Sequence, residues 1–424
     1  MRSDGVSTDT RTLKENQLFF ALKGEHFDGN RFLPDALEKG CRLAITDDPG
    51  EVRSDRVVTA EAPLEVLQQL AAHHRQQKGA KVVGLTGSNG KTTTKELITA
   101  VLRKKYRVLS TRGNLNNHIG VPLTLLEMDR EEVAVIEMGA NHRGEIALLA
   151  ELADPHMGLI TNVGKAHLEG FGSLEGVKAG KGELYDYLAE RGREAFVNLS
   201  DKTLVNMAHE RGLSIIPYAT DASCELFGTL VHASPFLEVL LRTGDEVMHL
   251  QSRLVGSYNL ENIMAAVAVG RAFDVSAAGI REAIAEYQPA NQRSEWLEGK
   301  SNRVVMDAYN ANPTSMHASI NDFMAYTEPP RAVILGDMLE VGQTEEQEHR
   351  MLLNRLTELA PEEVLLVGPV FCRFKETYRD FRFFENAGAC TAYLEQNPFT
   401  GMSVLIKGSR RISLEQTTSA LLGW

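Results

Sequence analysis

The sequence predicts a three-domain α/β protein: a small α/β domain, a central domain built on a mainly parallel sheet, and a C-terminal doubly wound, Rossmann-like domain. Three observations predict it. A chain of 424 residues suggests two to four domains. Apolar runs alternate with stretches of helical period along residues 79–288 and again along 289–424, the pattern of βαβ units. A glycine-rich turn, Gly87-Ser88-Asn89-Gly90, joins a buried-strand pattern to a helix, and such a turn belongs at the carboxyl edge of a parallel sheet.

The elements follow in order. Within residues 1–78, Leu18–Leu22 and Leu43–Thr46 read as short strands, with helices over Phe32–Lys39 and Pro63–Gln77. The second block, 79–288, opens with the strand Lys81–Thr86 and a helix from Thr92 to about Lys105. Strands follow at Val133–Met138 and Gly158–Val163. From Leu226 to Val255 short alternating strands turn at Thr243-Gly244-Asp245, an antiparallel excursion, before helices at Leu260–Phe273 and Ser276–Glu286. In the third block, 289–424, strands are expected at Val304–Asp307, Ala332–Leu335, Val364–Val367, Phe381–Phe384 and Ser403–Ile406, each followed by a helical stretch. The hinge between the last two blocks is placed at Gln288–Arg293.

Composition excludes several classes. With 43% hydrophobic and 24% charged residues the chain is neither disordered nor collagen-like. The balance of 45 Lys+Arg against 57 Asp+Glu, a net charge of −12, excludes a broad nucleic-acid-binding face, so phosphate binding would rest on locally placed groups. No apolar run approaches the ~20 residues that span a bilayer, and the polar start Met1-Arg2-Ser3-Asp4 is not a secretory signal. Cys41, Cys224, Cys372 and Cys390 are too scattered for a zinc site or a disulfide framework, so a cytoplasmic location is expected.

The chemistry concentrates in Gly87-Ser88-Asn89-Gly90-Lys91-Thr92-Thr93. Glycines let successive N–H groups face a phosphate chain, and the helix N-terminus adds its positive end. Lys91 would neutralise the β and γ phosphates and Thr92 would ligate Mg²⁺. The spacing is a shortened form of the Walker loop, since Leu85 stands where its first glycine would be. Glu137 ends one strand and His167 follows another, so both point to the rim that carries Lys91. Glu137 reads equally as a Mg²⁺ ligand or as a capping or salt-bridging acid, and His167 alone reads more simply as a structural hydrogen-bonding residue.

These residues resemble the Mur ligases, ATP-dependent amide-forming enzymes of peptidoglycan precursor synthesis, and the resemblance covers essentially the whole chain. It is carried by Leu85–Thr93, by Gly113-Asn114-Leu115-Asn116-Asn117-His118-Ile119-Gly120-Val121-Pro122, and by Thr161-Asn162-Val163 with Ala166-His167-Leu168-Glu169. Ser7-Thr8-Asp9-Thr10-Arg11, Phe19–Gly24, Asp307–Pro313, Leu335–Glu340 and Lys407-Gly408-Ser409-Arg410 resemble the member that adds D-alanyl-D-alanine to a UDP-N-acetylmuramoyl-tripeptide.

The resemblance implies roles that spacing alone does not. Glu137 and His167 become ligands of two Mg²⁺ ions, together with Thr92 and a carbamylated Lys181. Lys91 is the phosphate lysine, Asn259 and Asn262 contact adenine, and Arg293 and Asp307 reach the ATP from the third domain. Thr8, Asp9, Arg11, Lys23 and Gly24 hold the uridine diphosphate, Asn116 and Asn117 meet the nucleotide sugar, and Asn310, Asn312 and Lys407 line the dipeptide site. A monomer is implied. Tyr258 departs from the histidine of many relatives. The first motif begins seven residues in, earlier than is usual in the family, so the first domain is expected to be trimmed or to start upstream. Competing readings are a sister ligase adding one amino acid, folylpolyglutamate synthetase, which lacks the uridine-binding domain, and a nucleotide-dependent regulatory protein without catalysis.

Overall fold

The computed structural model describes residues 3–289 and 292–423. Ala290 and Asn291, within the expected hinge Gln288–Arg293, lie outside the described residues.

In the first domain, Phe19 and Phe20 are adjacent in a strand and so point to opposite faces. Each seeds a small core. Phe19 packs with Leu13, Leu33, Ala36 and Ala44, and Phe20 with Ile45 and Leu67. The sheet between these cores has four parallel strands in the order Val6–Ser7, Leu18–Phe20, Leu43–Thr46, Val57–Thr59. The outer two strands are too short to register as patterns in the sequence. Helix Pro63–Lys78 starts on a proline and ends at Gly79 in the left-handed region, as expected for a helix bounded by Pro and Gly. It also packs on the helix Gly120–Leu126 of the central domain, so it serves as the mortise between the two.

The central sheet has six parallel strands in the order Ser214–Tyr218, Glu194–Asn198, Met157–Ile160, Lys81–Thr86, Val133–Glu137, Val108–Ser110. Lys81–Thr86 lies between Met157–Ile160 and Val133–Glu137, with Leu85 opposite Glu137 and Thr86 opposite Ile160. That register brings three strand ends to one point. The near-continuous apolar strands are explained by cores on both faces, one built from helices Lys91–Arg103, Asn259–Ala272 and Ala277–Glu286, the other around Glu145–Ala153 and Leu174–Glu190. The antiparallel excursion is a separate three-stranded sheet, Leu226–His232, Glu238–Thr243 and Glu246–Gln251, and Gly244 at its turn has φ +57°.

The third domain carries strands Glu295–Glu298, Arg303–Asp307, Ser403–Lys407, Arg331–Gly336, Glu363–Val367 and Arg382–Phe384 in that spatial order. All pair in parallel except the first, which is an antiparallel edge. Helices cover both faces. Several strands lie outside the sequence reading, among them Val6–Ser7 and Val57–Thr59 in the first domain, Val108–Ser110, Glu194–Asn198 and Ser214–Tyr218 in the central sheet, and Glu295–Glu298 here, while one expected strand, Gly158–Val163, is shifted to Met157–Ile160. Glu-Trp-Leu-Glu was not read as a strand because its charged ends hide a half-buried edge. The strand expected over Gly158–Val163 ends at Ile160, and Thr161 and Asn162 side-chain and backbone groups turn to hydrogen-bond Ser88 and Asn89 of the glycine-rich loop.

Candidate active site

The loop is shaped by two glycines. Gly87 has φ +148° and Gly90 φ +77°, conformations that disfavour any side chain. A Cβ on Gly87 would overlap Thr161 Oγ1, and one on Gly90 would lie 2.5 Å from Asn262 Oδ1. The following segment holds the loop from outside: Ser88 N–H donates to Asn162 O at 3.0 Å, and Asn89 N–H to Asn162 Oδ1 at 2.9 Å. Thr161 Oγ1 donates to Asn89 O at 2.6 Å. Lys91, at the first turn of its helix, folds back to Gly87 O at 2.7 Å. Burial pushes its ammonium below the usual lysine range, with the Glu137 carboxylate opposing the shift.

Glu137 is 1% exposed. Its Oε1 accepts from Asn116 Nδ2 at 2.8 Å and from Thr92 Oγ1 at 3.3 Å. Its Oε2 is buried without a hydrogen-bond partner. Arg293, stacked 3.6 Å from the Tyr309 ring centroid, likewise has a buried Nε without a partner. Both residues line one cavity of about 700 Å³ between the central and third domains. A carboxylate oxygen whose charged neighbour is Lys95 Nζ at 3.8 Å and a guanidinium N–H without an acceptor leave hydrogen-bonding capacity that suits a ligand carrying both charge signs.

Most of the expected residues meet in this cavity: Ser88 to Thr93, Asn116, Asn117, Glu137, His167, Asn259, Asn262, Arg293, Asp307, Asn310, Asn312 and Lys407. Several already have protein partners. Asn262 Nδ2 donates to Asn259 Oδ1 at 2.7 Å, and Asn262 Oδ1 accepts from Thr94 at 2.9 Å. Lys407 Nζ pairs with Asp307 Oδ2 at 2.6 Å. Asn117 Oδ1 accepts from Gly120 N–H at 2.8 Å. Asn312 caps the helix Pro313–Tyr326 through Ser315 N–H, and its Nδ2 donates to Asn89 Oδ1 at 2.7 Å, joining the third domain to the loop. His167, at φ +52°, bonds Glu340 of the third domain through Nδ1 at 2.7 Å.

The remaining expected residues lie outside the cavity. Gly87, at the start of the loop, is not among the lining residues. Lys181 is fully buried, 3.3 Å from Ala140 O and over the Phe171 ring, and burial pushes its ammonium down to about 7. Asp9 and Arg11 form an exposed ion pair at 2.6 Å beside Thr8, and Lys23, next to Gly24, pairs with Asp47 at 3.0 Å. Sequence reasoning assigned no role to Tyr258, whose hydroxyl meets Ser294 at 3.0 Å, nor to Tyr309 or Asp201 in the cavity wall. Tyr258 had a signal in its place beside the Asn259–Asn262 pair and Tyr309 in its place within Asp307–Pro313, whereas Asp201 had none.

Fold and cavity together define a phosphate-loop α/β protein with its site at the seam of two parallel-sheet domains. Family models tile the chain: "Mur ligase family, catalytic domain" over residues 2–85, "Mur ligase middle domain" over 85–270, and "Mur ligase, glutamate ligase domain" over 292–410. The chain belongs to the Mur ligase family. It is 34% identical to the UDP-N-acetylmuramoyl-tripeptide–D-alanyl-D-alanine ligase of Bacillus subtilis, across 99% of this chain and 93% of that protein. MurF from Acinetobacter baumannii has a similar crystal structure, with TM-score 0.91, 31% identity, and coverage of 99% of this chain and 93% of that one. The MurF ligase of Thermotoga maritima in complex with ADP gives TM-score 0.88 at 26% identity, covering 99% and 97%.

Proposed function

We propose that the chain is the ATP-dependent ligase that joins D-alanyl-D-alanine to UDP-N-acetylmuramoyl-tripeptide, in the cytoplasm and as a monomer. The observation that carries the reading is the seam cavity, where Lys91, Glu137 and Arg293 converge from two domains. Full-length likeness to ligases of that name supports the substrates, and the ADP complex of a relative supports the nucleotide. No helix among the described residues is long and apolar enough to cross a membrane.

The tripeptide's terminal carboxylate attacks the γ-phosphorus of ATP, giving an acyl phosphate and ADP. The dipeptide amine then attacks the activated carbonyl, the resulting tetrahedral centre collapses, and phosphate leaves. Lys91 and the loop N–H groups hold the β and γ phosphates, and Arg293 meets the charge that spreads over the transferred group. Asn312 and Glu340 fasten the third domain over the site, which keeps water from the acyl phosphate.

The residues present suit Mg²⁺. Thr92 Oγ1 and Glu137 Oε2, which accepts no hydrogen bond, are hard oxygen donors. Among the described residues no group of three or more His, Cys, Asp or Glu is placed to hold a metal, so nucleotide oxygens would complete the shell. When bound, Mg²⁺ supplies charge neutralisation between the carboxylate and the triphosphate. His167 would add its Nε2. Lys181, its ammonium pushed down to about 7 by burial, has at neutral pH the free amine that a carbamate on its Nζ requires, which would supply oxygens for a second ion.

An amine panel tests the assignment. D-alanyl-D-alanine should support turnover, and single amino acids should not. Robust turnover with D-alanine alone would overturn the dipeptide reading.

A further inference from the structure

Lys95 stands one turn beyond Lys91 on the helix Lys91–Arg103. Its side chain is 3% exposed, and a buried ammonium needs a counter-charge. Two carboxylates lie within reach: Glu96 Oε1 at 3.8 Å and Glu137 Oε2 at 3.8 Å. Glu96 is held from its far side by the Tyr287 hydroxyl, which donates to Oε2 at 2.7 Å. Glu137 Oε1 is taken by Asn116 and Thr92. The Glu137 oxygen left for a metal is therefore the one that faces Lys95.

We propose that Lys95 is a positioning residue and built-in counter-charge for Glu137, which keeps that carboxylate from holding a divalent cation until the nucleotide's phosphates arrive. The inference rests on the reading of Glu137 as a metal ligand. The charges nearest the carboxylate explain the effect. Lys95 Nζ stands 3.8 Å from Glu137 Oε2 and 3.8 Å from Glu96 Oε1, while the cavity itself is lined by Lys91, Arg293 and Lys407 together with Glu137, Glu145, Asp201, Glu261 and Asp307. A divalent ion entering alone at Glu137 Oε2 meets the Lys95 ammonium only 3.8 Å from that oxygen. A triphosphate adds negative charge beside that ammonium and brings its own oxygens, the arrangement Mg²⁺ favours with only one or two protein carboxylates. Metal and nucleotide would then enter together, and the loop would not be blocked by a resident ion. Lys91 cannot serve the same purpose, because its ammonium is turned back to the loop carbonyls.

The probe is Mn²⁺ alone, titrated into the nucleotide-free full chain and followed by the electron paramagnetic resonance signal of the free ion. The wild type should bind weakly. Lys95→Met should bind about tenfold or more tightly, Lys95→Arg should behave as the wild type, and adding Glu137→Gln to Lys95→Met should abolish the gain. Lys95→Gln covers the case in which the methionine variant does not fold. Unchanged Mn²⁺ affinity in Lys95→Met or Lys95→Gln would overturn the proposal, as would a gained site that survives Glu137→Gln. A parallel titration with ADP separates the two readings. If Glu137→Gln leaves Mn²⁺ binding in the presence of ADP unchanged, the metal-ligand reading of Glu137 fails. If it weakens that binding while the Lys95 variants gain nothing, the counter-charge proposal alone fails.

Discussion

Glu137 and Lys181 are buried and Lys91 is half-buried, settings that change what a charged side chain can do. Lys91 sits with its ammonium on the Gly87 and Ser88 carbonyls, at the point where a phosphate would replace those contacts. Lys91→Ala should lower phosphate release by about a hundredfold or more; near-normal release would remove the loop from the mechanism. Lys181 makes a prediction in pH. Its ammonium titrates near 7 when folded, against the ordinary 10.5. Between those values the unfolded chain holds one more proton than the folded one, so stability rises with pH from about 7 towards 10, and the cost of burial is fully present below 7. In bicarbonate-free buffer, urea unfolding at pH 7 and pH 9 should show that rise in the wild type and a smaller one in Lys181→Met. Equal slopes would contradict the burial argument. The loop residues were legible in the sequence because their chemistry is local: glycines, a lysine and a threonine within seven positions. Arg293 on Tyr309 and His167 on Glu340 were not legible as pairs. The second joins residues of different domains, and no periodicity reports such a meeting.

The elements that matter most are those that tie one sheet to another. Helix Pro63–Lys78 belongs by sequence to the first domain, yet its Arg75 is buried against the central domain. Arg75 Nη1 meets Asp154 Oδ2 at 2.9 Å, while Arg193 Nη1 and Tyr187 Oη lie against Asp154 Oδ1 at 2.5 and 2.9 Å. Asp154 itself has φ +47° at the end of Glu145–Ala153. Removing it strands a guanidinium that is only 7% exposed. Asp154→Ala should therefore cost about 3 kcal/mol in urea unfolding, and a loss below about 1 kcal/mol would mean that the junction is held by apolar packing alone. At this scale some buried parallel strands were plain in the sequence, since burial on both faces leaves runs such as Val133-Ala134-Val135-Ile136. The equally interior Glu194–Asn198 was not, because its polar ends leave only three apolar residues. Edge strands were not. Glu295–Glu298 has one neighbour and one wet side, and Val6–Ser7 is too short to carry an alternation.

At the scale of the whole molecule, the third domain is fastened to the central one at separated points around the cavity. Asn312 reaches the loop at Asn89, His167 reaches Glu340, and Lys165 Nζ pairs with Glu348 at 2.6 Å. Ser257 bonds Asp322 on the far side of the seam. The acidic net charge of −12 is compatible with two polyphosphate substrates if a few placed donors, under the proposed function, do the work that a basic face would otherwise do. The central claim is that these domains assemble one site in which ATP is consumed only for amide synthesis. It is tested most directly by measuring phosphate release while UDP-N-acetylmuramoyl-tripeptide, D-alanyl-D-alanine and Mg-ATP are each omitted in turn. Steady release only when all three are present, matched one for one by the extended nucleotide-peptide, is the expected result. Steady release without the tripeptide, or release with no amide product, would contradict it.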